Sequence, residues 1–160
     1  VLARIKSDGD AVRTARQREA PLGDFWRGFD WPALGRISGI YGSQRILNGQ
    51  PRQPHYGIDI AAPTGTPVYA PASGLVTLVK DLYFSGWTVV IAHGLGVNSS
   101  FLHFDRVDVK TGMIVERGGL IGKIGATGRA TGPHLDWRID WQGRRIDPGL
   151  LVGAMPDPAT

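Results

Sequence analysis

Five side chains in this sequence have the types and spacing to do chemistry together. They are His55 and Asp59 in Pro54-His-Tyr-Gly-Ile-Asp-Ile60, His103 in Ser100-Phe-Leu-His-Phe104, and His134 and Asp136 in Gly132-Pro-His-Leu-Asp-Trp137. Neutral imidazole and carboxylate are ordinary zinc ligands, and a catalytic zinc takes three protein groups while leaving a fourth position for water. Two such pairs, far apart in sequence and each within a β-like stretch, are the pattern of a zinc site built on a sheet, and hence of a hydrolase.

Local geometry sets what each pair can do. On a strand, residues i and i+2 share a face roughly 7 Å apart, so His134 and Asp136 can converge while Leu135 and Trp137 enter the core. Taken alone, that pair reads more readily as a core histidine beside a surface acid. His55 and Asp59 would be about 13 Å apart on a straight strand, too far for one ion. Gly57, beside Ile58 and Ile60, opposes a helix and permits a sharp bend, which lets a loop histidine fold back on a strand aspartate. Strict alternation puts His103 on the face of Phe101, which leaves both the core and the edge of a site open to it. His93, before Gly94, reads as structural. No G-x-S-x-G elbow supplies a serine nucleophile, and the glycine-rich run 125–132 lacks the G-K-[ST] of a phosphate loop and reads as a wide turn.

The elements that must hold these groups are short strands. With 160 residues, 42% apolar and 20% charged, the chain suits one globular domain, and its 23 glycines and 11 prolines punctuate short apolar runs in the manner of an all-β protein. Seven to nine strands are expected in a mainly β antiparallel sandwich or barrel-like sheet, among them 75–79, the doubly buried 87–92, 97–104, 120–124 and 134–141. Residues 35–160 form that domain. Residues 1–34 form a lead-in, in which 1–20 suit a short helix or, better, a flexible linker. Phe25, Trp26, Phe29 and Trp31 are expected to pack across the domain.

Composition excludes several classes. There is no cysteine, so disulfides, thiolate zinc sites and cysteine nucleophiles are out. No 18-residue apolar run exists to span a membrane. The net charge of +4 attracts polyanions, but the basic residues are dispersed and match no nucleic-acid-binding pattern. The first residues lack the apolar core and cleavage site of a signal peptide, so an export signal or anchor is expected to lie outside this sequence.

Taken in order, these segments resemble the lysostaphin/LytM-type zinc peptidases. The match runs from His55-x-x-x-Asp59 through Gly57-Ile-Asp-Ile-Ala-Ala-Pro-Thr-Gly-Thr-Pro-Val68, Ile91-Ala-His-Gly94 and Phe101-Leu-His103 to Gly125-Ala-Thr-Gly128 and Gly132-Pro-His-Leu135. It covers about Gly35 to Leu151. The resemblance implies the family's antiparallel β-fold (the duplicated hybrid motif), a bacterial envelope location, periplasmic or extracellular, and cleavage of peptide bonds in peptidoglycan. It makes His55 and Asp59 zinc ligands, and makes His103 and His134 the histidines that orient water and stabilise the oxyanion. The zinc would polarise the scissile carbonyl and acidify a water. Arg45, in the loop before the first ligand, becomes a candidate for gripping substrate.

One position departs from the pattern. The family's last motif is H-x-H, and here Asp136 stands at the third ligand position. Asp136 can ligate zinc, but a second carboxylate weakens the ion's Lewis acidity and tilts preference toward harder ions such as manganese. A member that has lost zinc would instead act as a regulator that binds and activates a cell-wall amidase, or as a plain peptidoglycan-binding module. Four of the five site positions are kept and the fifth is ligand-competent, which favours the metal-dependent endopeptidase.

Overall fold

Short apolar runs ended by glycine and proline fold as strands, and that is what the computed structural model contains; it describes residues 1–44 and 46–157. A helix α1 (Leu2–Gln17) precedes β1 (Arg36–Gly39), β2 (Ile46–Leu47), β3 (Gln50–Pro51), β4 (Ile58–Ala61), β5 (Pro67–Tyr69), β6 (Gly74–Leu82), β7 (Gly86–Gly94), β8 (Val97–Val107), β9 (Ile114–Val115), β10 (Leu120–Ile124), β11 (His134–Trp141) and β12 (Arg144–Ile146). Among the described residues, ten strands make one open antiparallel sheet in the order β1-β4-β11-β8-β7-β6-β9. Strand β10 joins β8 and carries β5, β12 pairs with β11, and β2–β3 form a separate hairpin. The mainly β antiparallel expectation holds, in the form of a single continuous sheet.

Alternation on β11 explains the core beneath the site. Leu135, Trp137 and Ile139 are at most 1% exposed. Phe29 and Trp31 each approach the Trp137 ring edge-on at 6.3 Å. Ile58 and Ile60 enter the same cluster from β4, and Val89 and Ile91 enter it from β7. His93 is wholly buried, with Nδ1 2.8 Å from the Ser73 carbonyl and Nε2 2.8 Å from Ser99 Oγ. Desolvation pulls its pKa down to about 4, so it is a neutral structural group.

The lead-in differs from a flexible linker. Helix α1 has no capping side chain and no acid in its first turn. Its N-terminus is therefore poorly capped, and tertiary contacts help to hold it. Asp8 accepts the Tyr83 N–H at 2.8 Å, Asn98 Nδ2 donates to the Arg16 carbonyl at 3.1 Å, and Arg16 Nε lies 3.3 Å from Asp140 Oδ1. Further along, Arg117 donates to the carboxylate and carbonyl of Asp24 and to the carbonyls of Pro71 and Gly28, stitching the aromatic arm to the sheet. Phe25, Phe29 and Trp31 pack as their sequence suggests, but Trp26 is 73% exposed. Three of the four rings pack against the core, and the fourth is left in solvent.

Candidate metal centre

Register places the two carboxylates. Asp136 on β11 is the direct antiparallel partner of Asp59 on β4, so both project from the same face. Like charges directly opposite are destabilising unless a cation lies between or beside them. Two glycines allow the approach. A Cβ on Gly39 would stand 2.5 Å from Asp59 Oδ2, and one on Gly57 would stand 2.5 Å from Asp136 Oδ1.

His55 reaches this pair from the loop before β4, as the Gly57 bend predicts. Its amide donates to the Ser43 carbonyl at 3.0 Å and its own carbonyl accepts from Gly42 N–H at 2.7 Å, which fixes the backbone of a residue only 2% exposed. His55 Nε2 lies 3.1 Å from Asp59 Oδ1. Ligand atoms of His55, Asp59 and Asp136 all fall within 4.8 Å of one another. Ligands about 2.1 Å from a tetrahedral zinc stand roughly 3.4 Å apart, so the first two are already spaced for an ion and the third is within a side-chain adjustment of it. One imidazole and two carboxylates form a donor set that fits a divalent cation.

His134 and His103 complete the centre without entering that triad. His134 Nε2 is 3.8 Å from Asp59 Oδ1, and the two imidazole centroids are 4.7 Å apart. Each ring has its Nδ1 against a backbone carbonyl, Gly132 at 2.9 Å for His134 and Thr127 at 2.7 Å for His103. A carbonyl only accepts, so Nδ1 carries the hydrogen in both rings and a neutral ring keeps its lone pair on Nε2. Desolvation lowers the His103 pKa, and the neighbouring His134 lowers it further, against an opposing bond to Thr127. The ring is thereby held in the neutral form that can accept a proton.

The placement of His103 corrects the alternation argument. Trp87 pairs with Phe104 while Val89 pairs with Phe101, so two residues of β8 oppose one of β7. His103 sits in this bulge with φ of 71°, a conformation uncommon outside glycine, anchored by its N–H to the Ser85 carbonyl at 2.8 Å. The bulge shifts the phase: Phe101 and Phe104 both enter the core, and His103 turns away from Phe101 into the groove. The wide turn 125–132 also has a part in this. Thr127 holds the His103 ring through its carbonyl, while its hydroxyl donates to the Phe104 carbonyl and accepts from Trp87 N–H.

All five side chains line one open groove of about 710 Å³, walled by α1 through Val12 and Arg16 and by the 129–131 turn. One further lining residue escaped sequence reasoning. Arg138 grips Asp136 with Nε 3.0 Å from Oδ1 and Nη2 2.9 Å from Oδ2. The signal was present in the period-two run His134-x-Asp136-x-Arg138, which sets all three on one face. Arg45, the candidate substrate grip, lies outside the described residues.

Comparison with known proteins gives a consistent picture. Residues 53–148 match peptidase family M23. The chain is 37% identical over 141 residues to the peptidoglycan DD-endopeptidase ShyA of Vibrio cholerae, a match covering 88% of this chain and 30% of that protein. The chain thus spans less than a third of that relative's length. A solved structure of a Pseudomonas aeruginosa protein assigned to peptidase M23 superposes with a TM-score of 0.83 at 39% identity, over 98% of this chain and 63% of that one. A zinc-containing peptidase from Vibrio cholerae gives a TM-score of 0.72 at 33% identity, over 81% of this chain and 41% of that one.

Proposed function

The chain belongs to peptidase family M23, and on that premise we propose that it is a metal-dependent endopeptidase that hydrolyses peptide bonds in bacterial peptidoglycan. The observation that carries this reading is the convergence of His55, Asp59 and Asp136 within 4.8 Å, beside two imidazoles of fixed tautomer in an open groove. The substrate class follows the ShyA likeness. The same likeness supports a place in the cell envelope, periplasmic or extracellular, with residues 35–160 as the peptidase unit and residues 1–34 as a lead-in packed on it.

His55, Asp59 and Asp136 would hold one divalent ion, zinc by the likeness to the zinc-containing peptidase, or manganese given two carboxylates. When bound, the ion supplies Lewis acidity for attack on a peptide carbonyl. The protein's own groups manage the protons. His103 Nε2, kept neutral by burial, accepts a proton from the attacking water and can return it to the leaving amine. His134 Nε2, on the Asp59 side of the pair, turns its lone pair to that water and orients it by accepting one of its hydrogens. Both rings can act without rotating, since their Nδ1 atoms are tied to Thr127 and Gly132.

The test is mass spectrometry of purified sacculi after incubation with metal-loaded protein, chelated protein and His134→Ala. New peptide ends that vanish in both controls support the endopeptidase and identify its bond. No products with zinc or manganese would instead favour a regulator of a cell-wall amidase.

A further inference from the structure

The acid–base groups and ligands above leave Arg138 unexplained, although it makes two hydrogen bonds to one of the ligands. Its guanidinium forks onto both oxygens of Asp136, at 3.0 and 2.9 Å, and the Asp136 side chain is only 3% exposed. The fork sits in a fitted cradle: a Cβ on Gly57 would stand 2.5 Å from Asp136 Oδ1 and 2.7 Å from Arg138 Cγ. A guanidinium stays charged at every pH at which the protein is folded, so the fork brings one fixed positive charge to Asp136.

Resting on the metal-dependent reading above, we infer that Arg138 is a positioning and charge-compensating residue that makes the Asp136–Arg138 pair the electrostatic equivalent of a neutral third ligand. Asp59 and Asp136 bring two negative charges to the face they share, and Arg138 returns one positive charge. The net single negative charge equals that of one carboxylate with two neutral imidazoles. A carboxylate offers about four acceptor directions, and the fork occupies one on each oxygen, which leaves Asp136 free to ligate while its charge is drawn off. The site thereby keeps the Lewis acidity that a second bare carboxylate would quench, at the expense of affinity for the ion.

The sign of the effect separates this from a purely structural role. Affinity for Zn²⁺ and Mn²⁺ is measured by competition with a chromophoric chelator on the stripped protein, for the unmodified chain, Arg138→Gln and Arg138→Lys, with melting curves as a check of folding. Removing a unit charge about 6 Å from a divalent ion changes affinity about tenfold even at the dielectric of water. Arg138→Gln is therefore expected to bind Zn²⁺ at least about tenfold more tightly, and to lose turnover of sacculi despite full occupancy. Arg138→Lys keeps the charge but loses the fork, so its affinity is expected to lie nearer to that of the unmodified chain than Arg138→Gln does. Unchanged or weaker binding in a folded Arg138→Gln overturns the inference, since an arginine that merely shapes Asp136 would aid the ion.

If Arg138→Gln takes up the ion and the unmodified chain does not, Arg138 excludes the ion and compensation is refuted, together with the metal-dependent reading. If the affinity series runs as expected while no variant cleaves sacculi, the inference stands and the peptidase reading falls.

Discussion

Gly57→Ala probes the support of the centre without replacing a ligand. The new methyl would stand 2.5 Å from Asp136 Oδ1, 2.7 Å from Arg138 Cγ and 2.8 Å from the Trp137 carbonyl oxygen, where ordinary contact begins at 3.4 Å. The side-chain atoms can give, but the Trp137 oxygen belongs to β11, which is paired on both sides by β4 and β8. Overpacking of this kind costs about 1–3 kcal/mol, and the lost flexibility of the unfolded chain offsets about 0.5–1 kcal/mol. A net loss of about 1 kcal/mol lowers Tm by about 2–4 °C in a domain of this size. Because the first clash is with Asp136 Oδ1, affinity for a divalent ion should fall at least about tenfold as well. Thermal melts followed by circular dichroism, with chelator competition, read both effects. Gly153→Ala, where nothing lies within 4 Å of the added methyl, is the control and should stay within about 0.5 kcal/mol. If Gly57→Ala melts with the control and binds the ion unchanged, the close packing of β4 against the Asp136–Arg138 pair is refuted.

Two other outcomes are expected from the fold. His93 has a pKa of about 4 when folded against 6.5 as its ordinary value, so between those pH values the unfolded chain takes a proton that the native chain refuses. Its contribution is complete above pH 6.5 and lost as pH falls toward 4, in total about 3 kcal/mol. Urea unfolding should therefore find His93→Gln most destabilised at pH 7 and much less so at pH 4.5, and a gap that does not shrink contradicts the assignment. Gly9→Ala, inside α1 with nothing within 4 Å of the new methyl, should stabilise by about 0.5–1 kcal/mol and raise Tm by about 2–3 °C. A fall in Tm would show that α1 is not held as described.

What the sequence revealed depended on how local each determinant is. The His134–Asp136 dyad follows from strand alternation alone, and the His55–Asp59 pair follows from one glycine that permits a bend. His103 did not follow, because the bulge that turns it into the groove is set by pairing with β7 and by the Ser85 carbonyl, neither adjacent in sequence. The Arg138 fork was encoded in the same alternation as His134 and Asp136, but its meaning needed Asp59 placed across the ladder, where a second carboxylate demands a cation. Helix α1 lacks a capping side chain, and its order is reinforced by Tyr83, Asn98 and Asp140, all distant in the chain. Trp26 shows the opposite failure: an aromatic-rich stretch suggests burial for every ring, but which ring faces the core is set by the path of the chain.

The central claim is that one divalent ion at His55, Asp59 and Asp136 makes this groove a peptide hydrolase. Its most direct test is to titrate stripped protein with Zn²⁺ while following bound metal and cleavage of a purified cross-linked muropeptide in the same samples. Both curves are expected to rise together and to saturate at one ion per chain. Cleavage by fully chelated protein, or full occupancy with no cleavage by Zn²⁺ or Mn²⁺, would contradict it.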